Sequence, residues 1–417
     1  MLFLYRVLIN FVILISPIII IFRLIKNKES LTRFKEKFCF FSKKRSSGKL
    51  IWFHGASVGE LQSIIPLLEK LEKKTNINQI LVTSNTLSSS KIMEKVKLKK
   101  VIHQFFPIDS NFFSLKFLNY WKPSHVFFID SEIWPNMILN LEKKNIPFEI
   151  INGRITKKSF KNWKIFPNFS KKIFSKFKSC MAASNESKIY LKKLGVKKVK
   201  FFGNLKFSQT ENEKIIFDKS LRKFIESRKT WCASSTHKTE EIFCGNVHKK
   251  LKKKYKNLLT IIIPRHIDRV KNIKKDLENL GLKVHVHEPK KKIKKNTDIY
   301  IVNAYGKTKS FYSNCKNIFL GGSLIKHGGQ NPLEATRFGC KILHGPNVSN
   351  FKEIYNFLKK NKVSNQIKTQ SKMISELQKL FNKKSGSKKL LKKFDLIGRN
   401  ILQKTFNEIN LSIKNEI

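Results

Sequence analysis

Apolar residues fall in this chain in short runs that alternate with stretches of helical spacing. Runs at residues 50–54, 80–83, 125–129, 148–151 and 180–183, then 231–233, 259–263, 284–287, 299–302, 318–320 and 342–344, have the length of strands. Their continuous apolar character fits strands buried on both faces, as in parallel sheets covered by helices. After the first run, Leu61, Ile64, Ile65, Leu68 and Leu71 recur at helical spacing, and Pro66 predicts a kink. The alternation predicts an α/β protein of two doubly wound, Rossmann-like domains. A chain of 417 residues has room for both, with a join near residues 208–222. The expected division is 25–212 and 213–417. The Lys-rich stretch after about residue 370 reads as helices packing back across the join.

The N-terminus breaks this pattern. From Val7 to Phe22 the chain is almost wholly apolar and is bounded by Arg6 and Arg23. No small-residue cleavage site follows; Arg23, Lys26 and Lys28 come instead, which argues against a removed signal peptide. Residues 1–24 therefore read as an uncleaved, single-pass membrane anchor. The downstream charges place the body in the cytoplasm by the positive-inside rule.

Charge narrows the partners. The chain carries 85 Lys and Arg against 29 Asp and Glu, a net charge of +56. The charges are spread along the whole length, with short clusters such as Lys290 to Lys292, and interleave with apolar helical positions. That is the pattern of solvated faces beside an anionic membrane surface, and not of a nucleic-acid arm. The six cysteines contain no Cys-x-x-Cys pair, so neither a disulfide framework nor a zinc site is expected. His285 and His287 share one strand face without a third ligand and read as structural. No metal and no cofactor is expected.

Chemistry gathers at strand ends. Gly321-Gly322-Ser323-Leu324-Ile325-Lys326-His327-Gly328-Gly329-Gln330-Asn331-Pro332-Leu333-Glu334 follows an apolar run and leads into a helix. Asn331 is expected as N-cap, Pro332 as the first helical residue, and the glycine loop as a phosphate cradle. At residues 54–60, His54-Gly55-Ala56-Ser57-Val58-Gly59-Glu60 passes from strand through a glycine turn into a helix. Ser57 and Glu60 fit a capping box, yet Glu60 also lies where open α/β sheets bind ligands. Asp130-Ser131-Glu132 ends another strand, Lys206 follows Gly203-Asn204-Leu205, and Arg265 follows Pro264 at a strand tip.

Seven motifs occur in one order. They are Ser57-Val58-Gly59-Glu60, Glu132-Ile133-Trp134-Pro135-Asn136, Asn152-Gly153-Arg154, Gly203-Asn204-Leu205-Lys206-Phe207, Ser235-Thr236-His237, Pro264-Arg265-His266, and the stretch from Gly321 to Glu334. With these motifs the chain, as far as about residue 360, resembles the 3-deoxy-D-manno-octulosonic acid (Kdo) transferases of lipopolysaccharide synthesis. The resemblance implies a GT-B glycosyltransferase at the cytoplasmic face of the inner membrane. It also implies an inverting, metal-independent transfer of Kdo from CMP-Kdo to the lipid A precursor. By matched position Glu60 is the general base, and Asp130 and Lys206 stand where the family stabilises the transition state. Pro264, Arg265, Tyr305, Gly306, Lys307, Asn331, Pro332, Leu333 and Glu334 would hold CMP.

The chain departs from the family in three places. It has Asn303-Ala304-Tyr305-Gly306-Lys307-Thr308 where the family usually has Asp-Thr-x-Gly-Glu-Leu, Gln330 where it has His, and Asp130 where it has Glu. Two alternatives stay open: a GT-B enzyme using a UDP-sugar on a lipid-linked acceptor, and a basic, membrane-anchored binding protein that has lost catalysis.

Overall fold

The computed structural model describes residues 1–209, 217–288, 293–382 and 388–414. The Lys290–Lys292 cluster and the expected domain boundary at residues 212 and 213 lie outside the described residues. The chain divides into two compact units, residues 1–210 with 395–417, and residues 211–394.

In the first unit the strands are β1 (Leu50–His54), β2 (Gln79–Ser84), β3 (Val101–Phe105), β4 (His125–Ile129), β5 (Phe148–Gly153), β6 (Cys180–Ala182) and β7 (Val199–Phe201). They form one seven-stranded sheet in the order β3-β2-β1-β4-β5-β6-β7. All pairings are parallel. Side chains along a strand alternate between faces. Accordingly Leu50 and Trp52 enter one buried cluster and Ile51 and Phe53 the other. Burying each such side chain stabilises by about 1.5–3 kcal/mol relative to exposure.

The second unit holds β8 (Lys229–Thr236), β9 (Leu258–Pro264), β10 (Val284–Val286), β11 (Ile299–Ile301), β12 (Asn317–Leu320), β13 (Lys341–His344) and β14 (Ser364–Gln366). Its sheet is also seven-stranded and parallel, in the order β10-β11-β9-β8-β12-β13-β14. His285 stacks on Tyr300 at 5.4 Å, and His287 hydrogen-bonds the Tyr300 hydroxyl, so both serve as structure.

Three strands escape a reading for apolar runs. β3 carries His103 and Gln104, β7 is Val-Lys-Phe, and β14 is Ser-Asn-Gln. Each lies at a sheet edge. Backbone pairing to a single neighbour sustains it without an apolar run.

The helix Val58–Glu72 continues through Pro66. Two helices close the chain, Gln370–Phe381 and Lys388–Lys414. Met373 and Leu377 pack in the core of the second unit, while Ile409 and Ile413 join that of the first. A β-carbon on Gly398 would lie 2.4 Å from the Phe207 carbonyl oxygen, so a glycine lets this last helix reach the backbone at Phe207.

The apolar N-terminal segment forms a helix over Leu2–Ile25, long and apolar enough to cross a membrane. It does not stand free of the first unit. The Tyr5 hydroxyl donates to Asp109 Oδ2 at 2.7 Å, and Arg6 Nε donates to Asn136 Oδ1 at 3.0 Å.

Candidate active site

Open α/β sheets bind ligands outside the carboxyl ends of their strands, where the direction of strand addition switches. The first sheet switches between β1 and β4, the second between β8 and β12.

After β1, Ser57 caps the helix Val58–Glu72 and the expected capping box is complete. Glu60 Oε2 accepts the N–H groups of Ala56 at 2.7 Å and Ser57 at 3.3 Å, and Oε1 accepts the Ser57 hydroxyl at 2.6 Å. An ionised carboxylate offers about four acceptor positions, so the cap leaves capacity for another donor. Burial pushes the Glu60 carboxyl up to about 7; Asp130 and Glu132 add to the rise, and the Ser57 hydrogen bond opposes it. A carboxylate titrating near neutrality is matched to proton transfer at physiological pH.

After β4, Asp130 takes the left-handed conformation with φ 62°. A non-glycine residue there costs of order 1–3 kcal/mol, although Asp tolerates it better than most. The Asp130 N–H donates to the Ile151 carbonyl and its own carbonyl accepts the Arg154 N–H, both at 3.1 Å. The side chain is buried with Oδ2 3.4 Å from Lys206 Nζ. Its Oδ1 has no hydrogen-bond partner among the described residues.

Lys206 is placed by local bonds. Asn204 Oδ1 accepts the Lys206 N–H and Asn152 Oδ1 accepts the Leu205 N–H, each at 2.9 Å. Glu132 completes the group: its Oε2 accepts Trp134 Nε1–H at 2.9 Å and lies 3.3 Å from His54 Nε2. The first unit thus gathers Glu60, Asp130, Glu132 and Lys206. His54 was not expected as part of it; its place at the end of β1 was the available signal.

The second unit corrects one expectation outright. The glycine loop after β12 is already filled by Glu240. Its Oε2 accepts the N–H groups of Gly322 at 2.7 Å and His237 at 3.0 Å, and its Oε1 those of Ser323 at 3.1 Å and Leu324 at 3.0 Å. The cradle foreseen for a phosphate is occupied by a buried carboxylate of the same chain. A β-carbon on Gly321 would lie 2.7 Å from Glu240 Oε2 and 2.5 Å from the Ser235 carbonyl, so glycine is what lets the loop close over it.

The helix after this loop begins within one residue of the expected start. It covers Leu333–Arg337 with Pro332 in the cap position, while Asn331 Oδ1 accepts the Leu333 N–H at 3.1 Å. Pro332 itself has helical dihedrals (φ −83°, ψ −11°) and its carbonyl accepts the Thr336 N–H at 3.1 Å, so the Asn331 bond is a cap of the kind expected there. Glu334 is half-buried on its first turn.

Arg265 and His266 are exposed at the tip of β9. The Arg265 N–H donates to the Thr236 carbonyl at 3.0 Å, which sets it beside His237. The His237 ring lies 4.3 Å from His327 and 5.9 Å from His266. Burial first, then His327, His266, Arg265 and Arg269, push His237 down to about 4, which leaves it neutral at pH 7. This strand end is electropositive and suited to an anion.

Tyr305, Gly306 and Lys307 occupy an exposed loop after β11. Because β11 pairs with β9, the loop neighbours the strand of Arg265, while Asn331 to Glu334 follow β12 on the far side of β8. Among the described residues, no group of three or more His, Cys, Asp or Glu is placed to hold a metal ion.

Comparison with known proteins gives these sites a family. A family model described as 3-deoxy-D-manno-octulosonic-acid transferase (kdotransferase) matches residues 32–209. The 3-deoxy-D-manno-octulosonic acid transferase of Rickettsia bellii is 32% identical over 369 residues, covering 88% of this chain and 87% of that protein. The transferase of the same name from Haemophilus influenzae is 30% identical over 312 residues, covering 74% of this chain and 73% of that protein. Among solved structures, UDP-GlcNAc 2-epimerase from Neisseria meningitidis superposes with TM-score 0.56 at 14% identity, over 89% of this chain and all of that one. At that identity the likeness concerns the fold alone, and it agrees with a GT-B arrangement of two parallel sheets. The relatives in sequence carry the further conclusion that this chain is a glycosyltransferase belonging to the Kdo transferase family.

Proposed function

We propose that the chain transfers Kdo from CMP-Kdo to the lipid A precursor with inversion, at the cytoplasmic face of the inner membrane. The observation that carries this reading is Glu60: a carboxyl at a sheet switch point, pushed up to about 7 and set among Asp130, Glu132 and Lys206. Family membership supplies the sugar, and the positive strand end around Arg265 fits an anionic donor.

In the proposed step an acceptor hydroxyl gives its proton to the Glu60 carboxylate as its oxygen bonds the anomeric carbon of Kdo. The bond from that carbon to the CMP phosphate oxygen breaks on the opposite face, and the electron pair leaves with CMP. A positioned base of this kind is typically worth ~10²–10⁴-fold in rate. The Lys206–Asp130 pair fixes a cation and an anion beside the base, where charge develops in the transition state. On the donor side Arg265 would take the phosphate, and Asn331 and Glu334 the remaining nucleotide contacts. Pro332 and Leu333 would shape that wall, and the Tyr305–Lys307 loop would border it from the Arg265 side. Since Glu240 takes the N–H groups of Gly322, Ser323 and Leu324, this reading assigns the phosphate to side-chain cations.

An assay with CMP-Kdo and the lipid A precursor, with products resolved by mass, tests the proposal. Calorimetry with CMP against UDP tests the donor separately. A preference for UDP would replace this reading by another nucleotide-sugar transferase.

A further inference from the structure

The helix Leu2–Ile25 has two unlike faces. Tyr5, Arg6, Ile9, Ile13, Ser16 and Ile20, at spacings of one, three and four residues, are sheltered. Apart from Asn10, the open surface is apolar, from Phe3 at one end (80% exposed) to Ile25 at the other (74% exposed). Both arginines of the helix are held by polar partners outside it: Arg6 by Asn136, and Arg23 Nε by Glu29 Oε2 at 3.1 Å. The open face therefore carries no arginine. Glu29 is buried and also pairs with Lys37, which ties the far end of the helix to the segment that follows.

The near end is tied more firmly. Asp109 accepts the Tyr5 hydroxyl together with the backbone N–H groups of Asn136 at 3.0 Å and Met137 at 2.8 Å. Asp109 thus joins the membrane-type helix to the start of the helix Pro135–Lys143, directly after Glu132 and Trp134.

From this we infer that the helix Leu2–Ile25 lies in the plane of the membrane, half embedded by its open face, and does not cross the bilayer. The inference rests on the reading that this chain is membrane-attached, and it replaces the single-pass anchor expected from the sequence. Length does not decide the matter: 24 residues span ~36 Å, enough for a ~30 Å hydrocarbon core. The neighbours do. In a spanning orientation Tyr5 would lie across the bilayer from Arg23, and Asp109 and Asn136 would be carried there with it. Polar and ionisable groups are expensive in hydrocarbon, whereas an interfacial helix keeps them on the wet side. The occupant of the open face is lipid hydrocarbon, and the anionic headgroups around it complement a chain of net charge +56.

Spin labels at single cysteines read the depth of the helix directly. The six native cysteines are all buried, so labels at Val7→Cys, Phe11→Cys, Leu14→Cys and Ile18→Cys report from the open face. The full chain is bound to vesicles of phosphatidylethanolamine and phosphatidylglycerol, and accessibility to oxygen and to a polar nickel reagent is compared. The inference predicts one common, shallow depth at all four positions. A steady change of roughly 16 Å between positions 7 and 18, passing through the bilayer centre, would establish a spanning helix and overturn it. Labels that stay accessible to the polar reagent with vesicles present would overturn the membrane reading itself, and this inference with it.

Discussion

The Glu240 carboxylate stands 2.7 Å from the Gly322 backbone nitrogen and occupies the anion cradle that a glycine loop makes at a strand end. It bridges the two loops that follow β8 and β12, across the switch point of the second sheet. Burial raises its pKa, and its four backbone hydrogen bonds work against that rise. Substitution by Ala removes the acceptor and leaves four N–H groups to satisfy. Glu240→Ala is expected to lose several kcal/mol of stability, since each buried unsatisfied donor costs about 1–3 kcal/mol. Urea unfolding measures this, and added phosphate should restore little of it.

The Tyr5–Asp109 bond predicts that the N-terminal helix is part of the first unit and not a detachable tether. Tyr5→Phe removes one donor from a buried carboxylate that burial already pushes up to about 7. The expected cost is about 1.5–3 kcal/mol, the range for hydrogen bonds to charged groups. Unfolding in detergent checks it; an unchanged midpoint would mean the bond does not form in solution.

The pH dependence follows from Glu60. A base must be ionised to accept a proton, so the transfer rate should climb through pH about 7 and level off above it. Stability runs the other way. A carboxyl whose pKa is raised in the folded state holds a proton that the unfolded chain releases. Stability therefore falls as pH rises from the ordinary glutamate range to about 7. Glu60→Gln should flatten that fall, measurable as the pH dependence of the urea midpoint.

Much of the fold was legible because eleven of the fourteen strands among the described residues contain apolar runs, most of them buried. β3, β7 and β14 were not, because an edge strand is held by backbone pairing and tolerates Lys200 or Asn365. At the first site Glu60, Asp130 and Lys206 could be placed just beyond strand ends, and their approach to one another follows from the strand order. The role of Glu240 was hidden for a different reason. Three of its four partners are backbone N–H groups more than eighty residues away, and no side-chain pattern marks such bonds.

Lys307 gives a check on the second unit that needs no substrate. Burial lowers the pKa of His287, and Lys307 is the next contributor. Lys307→Ala should therefore raise the His287 pKa, read by NMR titration of its ring. No movement would place Lys307 away from the end of β10, and the Tyr305–Lys307 loop with it.

The central claim is that Glu60 takes the acceptor proton, and Glu60→Gln tests it most directly. The amide keeps an oxygen for the Ala56 and Ser57 N–H groups, so the capping box and the fold should survive. Kdo transfer from CMP-Kdo to the lipid A precursor, followed by mass, should fall ~10²–10⁴-fold while the affinity for CMP, measured by calorimetry, stays unchanged. Transfer near the wild-type rate in a folded Glu60→Gln protein would contradict the account and leave Glu60 with a capping role alone.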